Sequence, residues 1–409
     1  MKRSKAQYKD TQSGKQSKNE RIETFLRSEF DFRFNTVKSR TEYKGKGSEK
    51  PFSVLTKFDI NSIRRILDSK GGIYTSPDNI RNILESNFAP KVNPIKEYFQ
   101  NLPAYSSNDD TLPITELAKC VTVKNTNNWN GYLLKWLVAV VANAMDDTGC
   151  KNHTCLVLTG EQGDFKSTFL DLLCPESLQN YLFTGKIDPQ SKDVQTLMAE
   201  FLLINIDDQL RTLNKRDENE LKNLITTPFV KYRRPYDVYI EEHPHRASFM
   251  ASVNGNDFLT DPTGSRRFLP FEVEDIDIET AKRVDMDRVY SEAVWYRKNG
   301  YRYWFNEDEI VELHRESEAF HVQTVEYEML LKGFEKPEEE VNSFMTTSEI
   351  LNYLRIYTNL NLQEKRMGEA LKKAGFERKS KRVGGSPMYV YHIRKISPNP
   401  FITPFYNEM

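Results

Sequence analysis

From residue 154 to residue 255 the apolar positions fall into three short runs, TCLVLTG, EFLLINIDD and ASFMASVNG, each closed by Gly, Asp or Asn and separated by stretches of helical spacing. Runs that are apolar without alternation predict strands buried on both faces, and their interleaving with helices predicts a mostly parallel sheet. Residues needed for chemistry then gather at the C-terminal strand edge. Upstream, FLRSEFDFRFNTVKSRTEYK alternates apolar and polar positions around turn formers, which predicts a strand or hairpin. Two short helices follow: INSIRRILDSK, capped by Asp59 or Asn61 and stopped at Gly71-Gly72, and PDNIRNILESNF, opened by Ser76-Pro77 and stopped before Pro90. NPIKEYFQNLP predicts a linker helix ending at Pro103. Residues 112–145 predict two helices, the second of which, YLLKWLVAVVANAM, is apolar on every side and therefore buried. It contains Lys135 and is too short to cross a membrane.

Beyond residue 340 the pattern changes again. Thr346-Thr-Ser-Glu349 is a capping box opening one helix, residues 364–374 form a second ended by Gly375, and strands at 376–383 and 388–393 flank GGSP. Helix, helix and hairpin is the order of a winged helix. Lys372 and Lys373 fall on the second helix, with Lys381 and Arg382 on the wing.

Composition narrows the picture. The chain of 409 residues carries 58 Lys+Arg against 59 Asp+Glu, for a net charge of -1, which excludes a uniformly basic protein but not basic blocks offset by acidic ones. Residues 1–50 hold fourteen Lys/Arg and seven Asp/Glu, residues 364–395 hold ten and three, and the compensating acid follows Glu272. The first 22 residues, rich in Lys, Gln and Ser, read as a disordered basic tail. A surplus confined to one small C-terminal module is the footprint expected for nucleic acid, the alternative being a solvated lid. Cys120, Cys150, Cys155 and Cys174 form no CxxC pair and have no His at zinc-finger spacing, so neither a zinc site nor a disulfide framework is expected. With no apolar segment behind the N-terminal charges, no secretory signal is expected and the protein reads as cytoplasmic.

The chemistry begins at Gly160-Glu-Gln-Gly163-Asp164-Phe165-Lys166-Ser167-Thr168, which follows the first of the apolar runs and opens a helix. A phosphate loop needs that order: backbone N–H groups wrap the phosphates, a Lys offsets their charge and a hydroxyl ligates Mg²⁺. Lys166 and Ser167 fit those roles, but Phe165 stands where the pattern G-x-x-x-x-G-K-[ST] has its second glycine, and an ordinary strand-to-helix turn is the alternative. The second run ends in Asp207 and Asp208, suited to holding Mg²⁺ and to polarising the attacking water, or else simply starting a turn. The third ends in Asn254, which could place that water or start the turn with Gly255. Arg266 and Arg267, after a Gly-Ser turn, could present a guanidinium to a neighbouring subunit's phosphate, or be surface arginines.

Taken in order, GEQGDFKSTFLDLLCP, LLINIDDQL, ENELKNLITTPFVKYRRPYD, SFMASVNGNDFLTDPTGSRRFLPFEV and DRVYSEAVWYRKNGYRYWF resemble the helicase-like ATPase domain of the virulence-associated protein E family. That family occurs in phage, plasmid and genomic-island replication proteins and is related to superfamily 3 helicases of the AAA+ class. The resemblance implies that Gly160, Gly163, Asp164, Phe165, Lys166, Ser167 and Thr168 bind ATP, that Ser167 and Asp207 hold Mg²⁺, and that Asp207 and Asp208 are the Walker B acids. It further implies that Asn254 is a sensor and that Arg266 or Arg267 is a finger. The chain departs from the family in Phe165, where Gly is common, and in Asp208, where Glu is common. By the same resemblance a hairpin lining a ring's channel would draw on Lys222, Lys231, Arg233 and Arg234, although Arg233 or Arg234 could belong to the ATP interface instead.

The fold class expected is α/β: a P-loop NTPase core of AAA+ type at 106–330, preceded by a tail at 1–22 and a mainly helical leader at 23–105, and followed by a winged helix at 340–395. The function expected is an ATP-dependent DNA helicase or translocase of a mobile element. It would work as a hexameric homo-oligomer on single- or double-stranded DNA, with priming supplied by a separate primase. The alternative is a catalytically weak or inactive P-loop protein that binds DNA and regulates.

Overall fold

The computed structural model describes residues 16–106, 112–124, 128–234, 238–260, 265–322, 324–337, 343–383, 386–397 and 399–401. Residues 1–15 of the expected tail, the turn 261–264 before the paired arginines and the wing residues 384–385 lie outside them. The chain divides into two compact units, Met1–Asn256 with Asp261–Glu318, and Asp257–Thr260 with Ala319–Met409.

The first unit opens with α1 (Lys18–Glu29), started by a reciprocal capping box between Ser17 and Glu20. Residues 18–22 are therefore helical, not disordered tail. The cause is Ile22 and Leu26, both fully buried with Ile60, Ile63 and Leu67, contacts that a charge count does not register. The expected hairpin is present as β1 (Phe30–Asn35) and β2 (Arg40–Gly45), antiparallel with Phe32 opposite Tyr43. With β3 (Ser53–Val54) and β4 (Lys91–Val92) it forms a four-stranded sheet, so the leader is less helical than its sequence suggests. Helix α2 (Lys57–Gly71) is capped by Thr56 in a box with Asp59, earlier than Asp59 or Asn61 would have started it, and ends at Gly72 with φ 60°. Ser76 caps α3 (Pro77–Leu84) as expected. Helix α4 (Pro94–Asn101) is no free linker: Ile95 and Phe99 are buried in the core of the main sheet.

That core is built on α5 (Pro113–Lys119), β5 (Val121–Val123) and α6 (Trp129–Met145). The strand between the helices was not expected; three residues are too few to show a period. Helix α6 buries almost its whole surface, and its Lys135 pairs there with Glu309 at 3.2 Å while donating to the Arg302 carbonyl at 3.1 Å. The remaining strands are β6 (Cys155–Gly160), β7 (Leu182–Gly185), β8 (Leu203–Asp207), β11 (Ser248–Asn254) and β12 (Phe268–Ile276). A hairpin of β9 (Phe229–Tyr232) and β10 (Glu241–Pro244) intervenes. The sheet order is β5-β12-β6-β11-β8-β7, parallel except for β5 at the edge. Helices α7 (Lys166–Leu172), α8 (Asp193–Glu200), α9 (Lys215–Thr226), α10 (Ile278–Ala281), α11 (Met286–Lys298) and α12 (Glu307–Ser317) complete the unit. Among the described residues no helix is long and apolar enough to cross a membrane.

The second unit holds α13 (Val325–Gly333), β13 (Phe334–Glu335), β14 (Phe344–Met345), α14 (Thr347–Arg355), α15 (Glu364–Lys373), β15 (Arg378–Val383), β16 (Ser386–His392) and β17 (Arg394–Lys395). The capping box at Thr346 and Glu349 forms as read, and Gly375 adopts φ 70° after α15. Strands β15 and β16 pair as a hairpin joined on its other side by β14. Leu351, Leu354, Met367, Leu371 and Tyr391 share one core.

Candidate phosphate site and basic surfaces

Three parallel strands end together. Asn254 pairs with Gly160 and Ser252 with Asp207, so the last residues of β6, β11 and β8 stand side by side at the C-terminal edge of the sheet. The loop after β6 leads into α7, whose second residue, Ser167, donates to Asp207 Oδ1 at 2.5 Å. Ser252 Oγ donates to the same oxygen at 2.7 Å and lies 2.9 Å from Ser167 Oγ. Asn205 ties the same helix to β8 by donating to Asp171 at 2.8 Å.

Lys166 is buried, donates to the Glu161 carbonyl and lies 3.8 Å from Asp164 Oδ2. Burial lowers its pKa, while Asp164 and Asp208 pull the other way. Gly160 has φ 149°, and a Cβ there would meet Asp164 Oδ2 at 3.0 Å and the Val273 carbonyl at 3.2 Å, so only glycine fits. Gly163, at φ 103°, needs glycine for its backbone alone. Phe165 adopts the left-handed conformation at φ 53°, ψ 18° and is 54% exposed as a residue; the backbone geometry a glycine would take without strain is kept by a residue that resists it. Thr168 is exposed on α7.

Asp208 sits in a tight turn at φ 44°, its N–H donating to the Ser252 carbonyl at 3.1 Å and its Oδ1 accepting from the Asn254 N–H at 3.2 Å. Arg211 donates to the Asn254 carbonyl at 2.7 Å. Ser252 and Arg211 escaped the sequence reading: one lies mid-strand among apolar residues, the other in a short turn, and neither carries a local signal.

Arg266 and Arg267 precede β12, whose first residue pairs with Cys155 at the start of β6. They occupy the opposite edge of the sheet from Lys166, roughly 16 Å away along the six residues of β6. Arg266 is exposed; Arg267 is half-buried, its pKa lowered by burial and by Arg266.

The expected channel residues separate into different environments. Lys222 is buried and paired with Glu218 one helical turn away at 2.7 Å; this ion pair inside α9 corrects its assignment to DNA. Arg234 pairs with Glu200 at 3.5 Å and donates to the Val37 carbonyl at 3.1 Å and to Ser39, so it anchors the leader hairpin, which corrects its assignment to DNA or to the ATP interface. Lys231 and Arg233 are exposed, Lys231 facing Glu242 across the hairpin at 3.1 Å. Val238, Tyr239 and Ile240, on the way into β10, are each more than 70% exposed. In the second unit Lys372 and Lys373 are exposed on α15, Lys381 lies over the Phe344 ring at 3.3 Å, and Arg382 is on β15.

Comparison with known proteins agrees with the resemblance. The model of the virulence-associated protein E-like domain matches residues 105–322, more than half of the chain. The apo structure of the NrS-1 C-terminal region (305-718) is similar in fold, with a TM-score of 0.51 and 10% identity over 93% of this chain and 100% of that one. The A form apo structure of the same region gives 0.47 and 11% over 91% and 99%. No curated protein matches the chain.

Proposed function

Because the chain belongs to the virulence-associated protein E-like family, we propose that it is an ATP-dependent DNA helicase or translocase of AAA+ type that serves replication of a mobile genetic element. The observation that carries this reading is the cluster of Ser167, Asp207 and Ser252 oxygens beside Lys166 at the end of three parallel strands. An ordinary strand-to-helix turn has no need of a hydroxyl and a carboxylate from two elements converging beside a buried lysine.

The donor set fits Mg²⁺: a hydroxyl and a carboxylate are hard oxygen ligands, and Ser252 orients the carboxylate from behind. Ser167 and Asp207 would hold the ion, which supplies charge neutralisation on the transferring phosphates. Lys166 offsets the charge of the outer phosphates of ATP. Asp208, fixed by the Asn254 N–H, orients the attacking water, and Asn254 links that carboxylate to the strand beside the loop. Arg266 and Arg267 stand too far from their own loop to act there, so they serve a neighbouring subunit, in a ring of hexameric type.

Single-stranded DNA would pass the β9–β10 hairpin, where Lys231 and Arg233 offer charge and the residues beyond offer an aromatic and apolar tip. The second unit would act as a winged helix whose Lys372, Lys373, Lys381 and Arg382 meet the duplex. A separate primase would supply primers, and work on replicating DNA places the protein in the cytoplasm.

Two observations favour a second reading, a catalytically weak DNA-binding protein of the same family: Asp164 stands 3.8 Å from the lysine that ATP would need, and Phe165 strains the loop. ATP hydrolysis with and without single-stranded DNA, compared between wild type and Lys166→Ala, decides between them. Turnover above the variant, raised by DNA, is the result expected; equal rates in both conditions leave the second reading.

A further inference from the structure

The leader has no role in the reading above, yet it carries a strongly cationic cavity. A groove of about 740 Å³ opens between the β1–β2 turn, the start of α2, the end of α3 and the end of α8, and it is walled by Lys38, Arg40, Lys57, Arg81 and Arg234 against only Glu85 and Glu200. Three of the cations are engaged. Arg234 holds Glu200, Val37 and Ser39, Lys38 donates to the Asn180 carbonyl at 2.6 Å, and Arg81 pairs with Asp78 at 3.0 Å. These contacts fix the groove's walls.

Arg40 and Lys57 are different. Both are exposed, and among the described residues neither has a carboxylate within 4 Å. Lys57 is also the first residue of α2, where a positive charge opposes the helix dipole, so its charge does nothing for the helix that bears it. Phe34, Leu55 and Leu84 also line the groove and add apolar surface to it. Cations without a carboxylate partner beside apolar surface match a ligand that alternates phosphate with sugar and base. The volume lies in the range of pockets that enclose roughly 300 to 1,000 Å³, which suits a nucleotide or two of unpaired strand and not a duplex.

We propose that this groove binds the backbone of single-stranded nucleic acid, with Arg40 and Lys57 each taking a phosphate. The inference rests on the reading above only for the class of partner; the groove meets the β9–β10 hairpin at Arg234, while Lys231 and Arg233 do not line it. Its test is an anisotropy titration of the full chain with a short labelled oligothymidylate over a series of salt concentrations. Three proteins are compared with wild type: Arg40→Glu/Lys57→Glu, the neutral pair Arg40→Gln/Lys57→Gln, and the hairpin pair Lys231→Ala/Arg233→Ala.

The leader variants should bind on the order of tenfold more weakly at low salt, and the neutral pair should lower the slope of log affinity against log salt by about 1.4, the share of two phosphate contacts to a single strand. Inorganic phosphate and thymidine monophosphate at matched concentration should not displace the oligonucleotide. An unchanged affinity and slope in the neutral pair, with its thermal midpoint unaltered, overturns the proposal; so does full displacement by phosphate alone, which would make the groove a small-anion site. The neutral pair keeps the test valid if charge reversal disturbs folding. Wild-type binding by the hairpin variant would count against the channel and leave the groove to be judged by its own pair.

Discussion

Ser167 Oγ and Asp207 Oδ1 lie 2.5 Å apart although forty positions separate them in the chain. The contact exists because Ser167 is in the first turn of the helix that follows β6, while Asp207 ends β8, and β11 between those strands sets the spacing. Ser252, contributed by β11 itself, donates to the same carboxylate oxygen.

That relationship orders the effects of two substitutions. On the proposed function, Asp207→Asn would remove the anionic ligand of the ion, and loss of several kcal/mol of charge stabilisation should lower hydrolysis on the order of 10²-fold or more. Ser252→Ala leaves both ligands but frees the carboxylate to turn, so it should raise the Mg²⁺ concentration for half-maximal hydrolysis about tenfold with little change in the saturated rate. A Mg²⁺ titration of each variant's hydrolysis checks both, and an unchanged Mg²⁺ requirement in Ser252→Ala removes that serine from the site.

Phe165 holds a left-handed backbone and is about half exposed. Phe165→Gly should therefore raise the unfolding free energy by about 1 kcal/mol, since strain is relieved and little burial is lost. Nucleotide should also bind more tightly, because the ring no longer borders the loop, and Asp164→Asn should add to this by leaving Lys166 to the phosphates. Urea unfolding and a nucleotide titration provide the measurements; weaker nucleotide binding by Phe165→Gly would mean that the ring contacts the ligand.

Lys222 and Lys231, both expected at DNA, should now part company. Breaking the buried pair by Lys222→Ala removes a buried partner of Glu218 and should destabilise the fold by about 3 kcal/mol. Lys231→Ala, at a side chain 69% exposed, should leave the urea midpoint in place while reducing stimulation of hydrolysis by single-stranded DNA. Equal midpoints for the two variants would contradict the burial of Lys222.

His245 is fully buried, with Nδ1 2.9 Å from the Thr227 carbonyl at the base of the β9–β10 hairpin, and burial lowers its pKa from 6.5 to about 4. The unfolded chain thus takes up a proton that the folded one refuses. The stability this provides is complete above pH 6.5 and falls as the pH drops toward 4, by about 2 kcal/mol between pH 7.5 and 5. Urea midpoints across that window should fall less steeply in His245→Asn than in wild type; parallel curves would show that the imidazole is charged in the folded state.

For the arginines the test is complementation. Mixing Arg267→Ala or Arg266→Ala subunits with Asp208→Ala subunits should restore part of the hydrolysis that each has lost, because a mixed interface can hold one intact finger and one intact water site. Absence of rescue in every mixture would count against action across subunits.

Much of the site could be read directly because its signals are local. Gly160, Lys166, Asp207 and Asn254 each sit next to an apolar run whose end marks a strand, and strand ends in a parallel sheet fall at one edge. The capping boxes at Thr346 and the glycine stop at Gly72 are equally local, needing only three or four neighbouring residues. Where the reading failed, the deciding partner was distant or the pattern too short: Thr56 starts α2 before Asp59 could, β5 is three residues long, and Ser252 looks like any strand serine.

The sequence by itself thus determined the strand and helix succession, the family and the sheet edge where the candidate site residues gather, since hydrophobic period and turn chemistry act over a few residues. Tertiary structure alone decided which charges are available. Arg234 reaches Ser39 across 195 positions, Lys222 turns inward to Glu218, and Arg40 with Lys57 is left facing a groove. A charge count cannot separate these cases, because burial and pairing are set by what the fold brings beside each side chain.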